Sequence, residues 1–455
     1  MIPLFFNLSK KKLIFIRLVF WLENRSKLLI NQTMLEVNKI RNEFDDMVKA
    51  LRKRGLSDIE NQLQDLIKLD DKRKSFKSEI DKINNESKSI SKDIGIAFKS
   101  GESGNIESLK LRSKELKEKS KIINDNLKET EIKLKLSLYN IPNTPDYRVP
   151  EGNSDKENKI IFSSEIIKNM TQKPHWDLIN EFKIIDFELG NNITGAGFPV
   201  YIGKGAILQR ALINYFLDIA KEKDYTEILP PILINDNSAT NTGQLPDKEG
   251  QMYKIEDENL YLIPTAEVPV TNIFKKKIVE KELLPIKNVA FTPCFRKEAG
   301  SWGSHVRGLN RLHQFDKVEI VQIQEENKSD EALNEMCDHV QYLIESLEIP
   351  YRKILLCAGD LGFTSSLTYD FEVYAPGQDR WLECSSVSNF LTYQSNRMKL
   401  KIRYGKTKKL AHTLNGSALA LPRIVASILE NNQDGDHILI PKVLHKYTGF
   451  KKISK

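Results

Sequence analysis

Cysteine is scarce in this chain. Cys294, Cys337, Cys357 and Cys384 are the only four in 455 residues, and they form no CxxC and no Cys/His ligand cluster. Such spacing argues against structural zinc and against a disulfide framework, and it fits a reducing cytoplasm. No glycine-rich phosphate loop is present either, so a bound nucleotide must be held another way. Long hydrophobic runs are missing too. The apolar stretch 13–22 follows Lys10-Lys11-Lys12, is interrupted by Arg17, has no small-residue cleavage site behind it, and reaches about half the length of a membrane span. Charge of one sign is in only slight excess, with 69 Lys and Arg against 62 Asp and Glu. That balance admits a polyanionic partner without requiring one.

A chain of this length exceeds one ordinary core, so two domains with connecting material are expected. Residues 51–140 hold 21 Lys and Arg against 16 Asp and Glu, which concentrates most of the basic excess in one fifth of the chain. Within 59–97, Leu66, Leu69, Phe76, Ile80, Ile83, Ile90 and Ile94 recur at alternating steps of three and four, with Arg73 and Ser87 as exceptions. This is a heptad seam. After Ser100-Gly101-Glu102-Ser103-Gly104 a second seam follows through Leu109, Ser113, Leu116, Ser120, Ile123, Leu127, Thr130 and Leu134. So short a turn permits only an antiparallel hairpin, of roughly 50 to 60 Å at 1.5 Å per residue. Alone, it would read as a dimerisation or spacer coiled coil. The Pro-rich stretch that begins Ile141-Pro142-Asn143 and continues to Lys159 has the character of a linker.

Beyond the linker, β-branched segments alternate with amphipathic helices at 206–221 and 331–347, which by themselves justify only an α+β fold. Two β-rich segments, 289–295 and 312–323, flank a loop holding Gly300, Gly303 and Gly308, and the simplest geometry is an antiparallel hairpin with a flexible tip. On such a ribbon Arg296 and Arg311 lie near each other. Two guanidinium forks with no local carboxylate for each suit triphosphate oxygens, and Phe315 beside them offers a face for a purine. Read plainly, the same segment is a solvated surface hairpin. Glu383-Cys384-Ser385-Ser386 follows the strand-like run 370–375, and Leu414-Asn415-Gly416-Ser417 leads through Pro422-Arg423 into an apolar helix at 424–430.

In this order the three segments resemble the class II aminoacyl-tRNA synthetases, and most closely the bacterial-type seryl-tRNA synthetase family. The resemblance covers nearly everything from Met34 onward. It rests on Gly197-Phe198-Pro199-Val200-Tyr201, Thr242-Gly243-Gln244-Leu245-Pro246, Thr265-Ala266-Glu267, Phe295-Arg296-Lys297-Glu298-Ala299-Gly300-Ser301 and His313-Gln314-Phe315-Asp316-Lys317-Val318-Glu319. It implies an antiparallel sheet flanked by helices, preceded by a coiled-coil arm that holds the variable arm and elbow of a tRNA. Shape and phosphate recognition by Lys72, Lys74, Lys77, Lys110, Lys114 and Lys117 would suit RNA helices.

The resemblance also implies the chemistry: serine is activated with ATP to seryl-adenylate, and the seryl group passes to the 3′ end of tRNA(Ser), and of tRNA(Sec) where present. It assigns Arg296 to the α-phosphate, Glu298 to the adenine amino group, Phe315 to adenine stacking, and Arg311 and Arg423 to the distal phosphates. Lys297, Leu312, His313 and Gln314 complete the ATP segment, joined by Glu383, Cys384, Ser385 and Ser386. Glu383 and Ser386 correspond to ligands of Mg²⁺, and Cys384 departs from the usual aliphatic residue. The catalytic set is Arg296, Glu383 and Arg423. Thr265, Ala266, Glu267, Arg296, Glu319 and Ser417 correspond to the L-serine pocket, while His305 and His313 are expected to position rather than to act as bases. A homodimer is implied through the helix from Ala206 and the strand ending at Pro230-Pro231, with neither DNA nor a membrane as partner. The domain expectations are a non-native or disordered extension over 1–33, a tRNA-binding helical domain over 34–140 with its arm at about 59–138, a linker over 141–159 and a catalytic domain over 160–455. The competing reading is a non-catalytic synthetase-like protein that binds RNA or a carrier, against which the intact Arg296, Glu298, Glu383, Ser386 and Arg423 weigh.

Overall fold

The computed structural model describes residues 35–100, 103–166, 172–298 and 307–455. The expected 1–33 extension, the Gly101-Glu102 centre of the interhelical turn, and the 299–306 tip with Gly300, Gly303 and His305 lie outside them. The described chain forms two compact units, one ending at Val48 and resuming over Ser57–Ile141, the other comprising Lys49–Leu56 and Pro142–Lys455.

The first unit is dominated by α1 (Ile59–Ser100) and α2 (Ser103–Tyr139). Both helices run into the stretch expected as a turn, so the 42 residues of α1 reach about 63 Å. Arg112 bonds Glu86 at 2.8 Å and Lys77 faces Glu131 at 3.6 Å, pairings whose numbers rise on one helix as they fall on the other, so the helices are antiparallel. The predicted seam is the buried one: Ile83, Ile90, Leu116 and Ile123 pack together, with Phe76, Ile80, Ile94 and Leu109 against them. One position differs. Leu69 is half-buried, and its neighbour Asp70 is 2% exposed instead. Burial pushes the Asp70 carboxyl up, but hydrogen bonds from Arg73, Lys74 and Arg41 outweigh it and hold the group below the usual carboxylate range. Arg73, an exception to the apolar pattern, is therefore a partner for a buried charge.

The second unit is built on an eight-stranded sheet. Its strands are β1 (Lys159–Ser163), β2 (Thr226–Glu227), β3 (Ile286–Phe295), β4 (Gln314–Gln324), β5 (Tyr351–Leu355), β6 (Leu367–Ala375), β7 (Arg380–Asn389) and β8 (His412–Ala420). They lie in the order β1-β5-β6-β7-β8-β4-β3-β2, antiparallel throughout except for the parallel edge pair β2 and β3. Helices α3 (Lys204–Glu222), α4 (Ser329–Ser346) and α5 (Leu421–Asn431) contribute apolar faces to the main core, through Leu212 and Phe216, Met336 and Val340, and Ile424 and Ile428. The Pro-rich stretch after Ile141 is pinned to this unit. Asn143 Nδ2 donates to the Thr364 and Phe390 carbonyls at 3.0 and 2.9 Å, and Val149 is buried in the main core.

The arm has a single apolar stripe, so its seam carries its stability. Leu116→Ala, at a position 2% exposed, is expected to destabilise the helical unit by about 2–4 kcal/mol. Urea melts followed by helical circular dichroism test this; a loss under about 1 kcal/mol would show that the seam does not support the arm.

Candidate active site

The hairpin of β3 and β4 sets the first wall. Its register pairs Cys294 with Phe315 and Phe295 with Gln314, and the Arg296 amide continues the ladder by donating to the His313 carbonyl at 2.9 Å. Arg296 then lies with its guanidinium 5.3 Å from the Phe315 ring centroid, a cation–π distance, while its Nε donates to the Pro264 carbonyl at 3.4 Å. Lys297 is exposed over the Tyr253 ring. At Glu298 the backbone adopts φ 48°, a left-handed conformation uncommon for a non-glycine residue. Its carboxylate meets Arg311 Nε at 2.7 Å. The expectation that each arginine lacks a local carboxylate is therefore corrected for Arg311, because the turn at Glu298 folds that carboxylate back onto it.

His313 is locked from three sides. Its ring lies 5.3 Å from Phe198, its Nδ1 is 2.6 Å from the Tyr253 hydroxyl, and Gly197, at φ +83°, approaches so closely that a Cβ would sit 2.3 Å from the ring. These contacts fix the orientation of the ring. Leu312 points into the main core, so only its backbone faces the nucleotide segment, whereas the Gln314 side chain is exposed.

The second wall is polar and buried. Thr265 Oγ1 accepts from the Glu267 amide at 3.2 Å and from Lys317 Nζ at 2.9 Å. Lys317 also forms an ion pair with Glu319, two residues along the same strand face. Ser417 lies opposite Glu319 in the β8–β4 register and donates to its Oε2 at 3.4 Å. Glu267 accepts from Gln394 Nε2 at 2.7 Å, and Gln394 in turn accepts from Thr413 at 2.8 Å. Ala266 packs its methyl against Val270, Ala290 and Val321. Burial, reinforced by the Glu319 carboxylate, pushes the Glu267 carboxyl up to about 7 despite bonds from Gln394 and attraction to Lys317. These two buried carboxylates thus share the ammonium of Lys317.

The third wall comes from β7. Residues three apart on a regular strand face opposite sides, yet Glu383 and Ser386 share a face, because the β6–β7 pairing shifts from Phe371 with Ser385 to Glu372 with Glu383 and leaves Cys384 as the extra residue of a bulge. Cys384 turns into the main core, and Ser385 Oγ donates to the Ser417 carbonyl at 2.5 Å. Both side chains are thus taken up inside the sheet. Ser386 bonds Asp370, a 7% exposed carboxyl that burial, and then the charge of Glu383, raises well above the carboxylate range. Arg423, at the start of α5, bonds the Glu383 carbonyl and lies 3.6 Å from its carboxylate. Hard oxygens from Glu383 and Ser386, with Asp370 behind them, suit Mg²⁺ completed by phosphate oxygens. Among the described residues no group of three potential ligands forms a ready-made cage.

Adjacent strands β7, β8, β4 and β3 thus carry the three segments to one end of the sheet. Residues 34–145 match the family model for the seryl-tRNA synthetase N-terminal domain, and residues 253–432 match that for the tRNA synthetase class II core domain (G, H, P, S and T). A serine–tRNA ligase of Salinibacter ruber is 41% identical over 425 residues, covering 92% of this chain and 99% of that relative. The chain belongs to the seryl-tRNA synthetase family. A serine–tRNA ligase of Alkaliphilus oremlandii is 42% identical across 93% of the chain and 100% of its own length. Among solved structures, the seryl-tRNA synthetase of Pyrococcus horikoshii complexed with ATP superposes with a TM-score of 0.86 at 32% identity, covering 92% of this chain and 99% of that one.

For a seryl-tRNA synthetase pocket, sequence reasoning assigned no role to Lys317 or Asp370. Lys317 lies inside a quoted string, two residues before Glu319 in a strand-like segment, and that i, i+2 spacing was the available signal. Asp370 heads a strand-like run that also carries Glu372 two residues on, which was a weaker signal.

An unfolded glutamate titrates near 4.3, whereas Glu267 titrates at about 7 in the folded chain. The folded state binds this proton more tightly, so the group favours folding most below the unfolded value, and stability falls as pH rises from about 4.5 to about 7. Glu267→Gln is expected to flatten that part of the stability profile in urea melts between about pH 5 and 8. An unaltered slope would identify some other group as the one titrating.

Proposed function

We propose that this chain is a serine–tRNA ligase that activates L-serine with ATP to seryl-adenylate and pyrophosphate, then transfers the seryl group to the terminal ribose of tRNA(Ser). The observation that carries this reading is the adjacency of an amino-acid pocket with two buried carboxylates, Glu267 and Glu319, to a nucleotide side bearing Arg296, Arg311 and Arg423. The solved relative from Naegleria fowleri, a cytoplasmic serine–tRNA ligase in complex with AMP, superposes with a TM-score of 0.81.

In this mechanism the serine ammonium enters between Glu267 and Glu319, and Thr265 and Ser417 address its polar groups. Its carboxylate needs no general base at neutral pH, so the protein contributes alignment and charge stabilisation. Arg296 bears on the α-phosphate, Phe315 on the purine face and Glu298 on its amino group. Arg311 and Arg423 bear on the distal phosphates. Glu383 and Ser386 would hold Mg²⁺, which would neutralise phosphate charge when bound. A wall built to bond a hydroxyl rejects an analogue lacking it by about 10⁴ to 10⁵, so alanine is excluded by chemistry and threonine by space.

The helical arm is the tRNA-binding element in this reading, recognising phosphate and shape. A homodimer through α3 and the segment from β2, which ends at Glu227 and not at the expected Pro230-Pro231, accounts for the exposure of Leu229 at 89%, beside half-exposed Ile232 and Leu233. No helix among the described residues is long and apolar enough to cross a membrane, and a cytoplasmic location suits the free cysteines Cys294, Cys337, Cys357 and Cys384.

ATP–pyrophosphate exchange on the purified chain, run in parallel with serine, alanine, threonine and glycine, is expected to respond to serine alone. Arg296→Ala is expected to lower that exchange by on the order of 10²–10³-fold or more while leaving the melting profile intact, and normal exchange in the variant would sink the assignment. Deleting residues 60–136 is expected to spare exchange and abolish tRNA charging. Charging that survives the deletion would refute the role given to the arm.

A further inference from the structure

A closed ring of buried and half-buried polar groups lies beside the Arg311 segment and takes no part in the chemistry above. His175 and Glu430 both have fully buried side chains, with Nδ1 and Oε1 2.7 Å apart. The Glu430 carboxylate also accepts from the His175 amide at 2.9 Å, from the Gly377 amide at 2.9 Å and from Gln378 Nε2 at 2.7 Å. Four N–H donors on one carboxylate are what an ionised group needs when it is taken fully out of water.

On its other edge, His175 Nε2 is 2.9 Å from the backbone nitrogen of Leu309. An amide N–H can only donate, so Nε2 must be the acceptor, and the proton of the neutral ring sits on Nδ1, aimed at Glu430. Glu430 thereby fixes the tautomer that can hold Leu309. Gly308, at φ +65°, makes the close approach possible, since a Cβ there would lie 2.3 Å from Nε2. Asn310 Nδ2 donates to Gln378 Oε1 at 2.7 Å, which closes the ring. Leu309 and Asn310, the two residues immediately before Arg311, are thus each held by a side-chain bond, buried at Leu309 and part-buried at Asn310, and Arg311 in turn holds Glu298 at 2.7 Å.

We infer that His175, oriented by Glu430, is a positioning residue for ATP: through the Leu309 amide it fixes the 308–310 turn and so places the Arg311–Glu298 pair against the nucleotide. The inference rests on the reading of Arg311 and Glu298 as ATP contacts. Geometry supplies the reason such a support is needed, because an active-site group displaced by about 1 Å can lose on the order of 10²-fold in rate. The bonds that close the ring restrict the arrangements open to Leu309 and Asn310.

Asparagine places an amide donor where Nδ1 lies and nothing where Nε2 lies, whereas glutamine reaches the Nε2 position with an acceptor. Pyrophosphate exchange by the full chain, with ATP and serine titrated separately, is therefore run on His175→Asn, His175→Gln, Asn310→Ala and Arg311→Ala. His175→Asn is expected to raise KM for ATP at least fivefold and to leave KM for serine within twofold, with His175→Gln recovering most of the loss. Asn310→Ala, which removes only the outer bond of the ring, is expected to raise KM for ATP by a smaller factor. If Arg311→Ala raises KM for ATP while His175→Asn does not, the inference is overturned and the nucleotide reading stands. If Arg311→Ala itself leaves KM for ATP unchanged, the reading of Arg311 fails, and the inference with it. Equal rises in both KM values for His175→Asn would mark a general packing role and also overturn it. Should the His175 variants not fold, Asn310→Ala decides, and an unchanged KM for ATP there overturns the inference.

Discussion

Burying a carboxylate is the constraint on which this molecule depends. The catalytic unit places Glu267, Glu319, Asp370 and Glu430 almost wholly out of water, and each would be strongly unfavourable there without compensation. The compensation differs in each case. Glu319 has an ion pair with Lys317 and a hydroxyl from Ser417. Glu430 collects four N–H donors from His175, Gly377 and Gln378. Asp370 has one hydroxyl and a neighbouring negative charge, so its carboxyl is driven upward. Glu267 is intermediate, with Gln394 as donor and a pKa raised to about 7. The carboxylate with the full set of donors needs no further partner, while Glu267 and Asp370 have fewer donors, and in the proposed function an ammonium group and a divalent cation would lie beside them. Under-compensation thus marks where ligands belong.

Backbone irregularity does the complementary work of aiming side chains. The antiparallel ladder across β7, β8, β4 and β3 brings sequence-distant residues side by side, but a regular ladder would separate Glu383 from Ser386. One inserted residue, Cys384, restores a common face and occupies the core, where a sulfur substitutes easily for an aliphatic group. The left-handed backbone at Glu298 performs a similar service for Arg311. Both distortions lie at the nucleotide side, where conformational strain is commonly stored.

The difference between local and tertiary information explains what could be read from the chain alone. The arm's seam was legible because heptad spacing is a local rule, and its one error, Leu69 for Asp70, arose because apolar counting gives a buried ion cluster no weight. The central hairpin followed from β-rich segments around a glycine-bearing loop, while its register did not. The quoted strings meet at the candidate site, but strings do not report direction: Leu312 and Cys384 lie within the motif segments and face the core. The Arg311 pairing required a φ value that no residue type announces at Glu298, and the shared face of Glu383 and Ser386 required a bulge. His175 and Glu430 are 255 positions apart and belong to no common motif, so nothing short of the fold joins them.

The arm poses an electrostatic question of its own, because several lysines assigned to RNA already have partners. Lys77 faces Glu131 at 3.6 Å and Lys110 lies over Phe98. The Lys77 pair is exposed, and such pairs are worth about 0–1 kcal/mol, so a phosphate can take over Lys77 with little loss to the fold. Lys74 differs, since its partner Asp70 is buried and shared with Arg41 and Arg73. Withdrawing Lys74 would remove one of three cations from a charge with no access to water, whereas the exposed Lys72, Lys114 and Lys117 carry no such obligation. Within one charged surface, the residues available to a polyanion are therefore set by how deeply their local partners are buried, and not by the number of lysines.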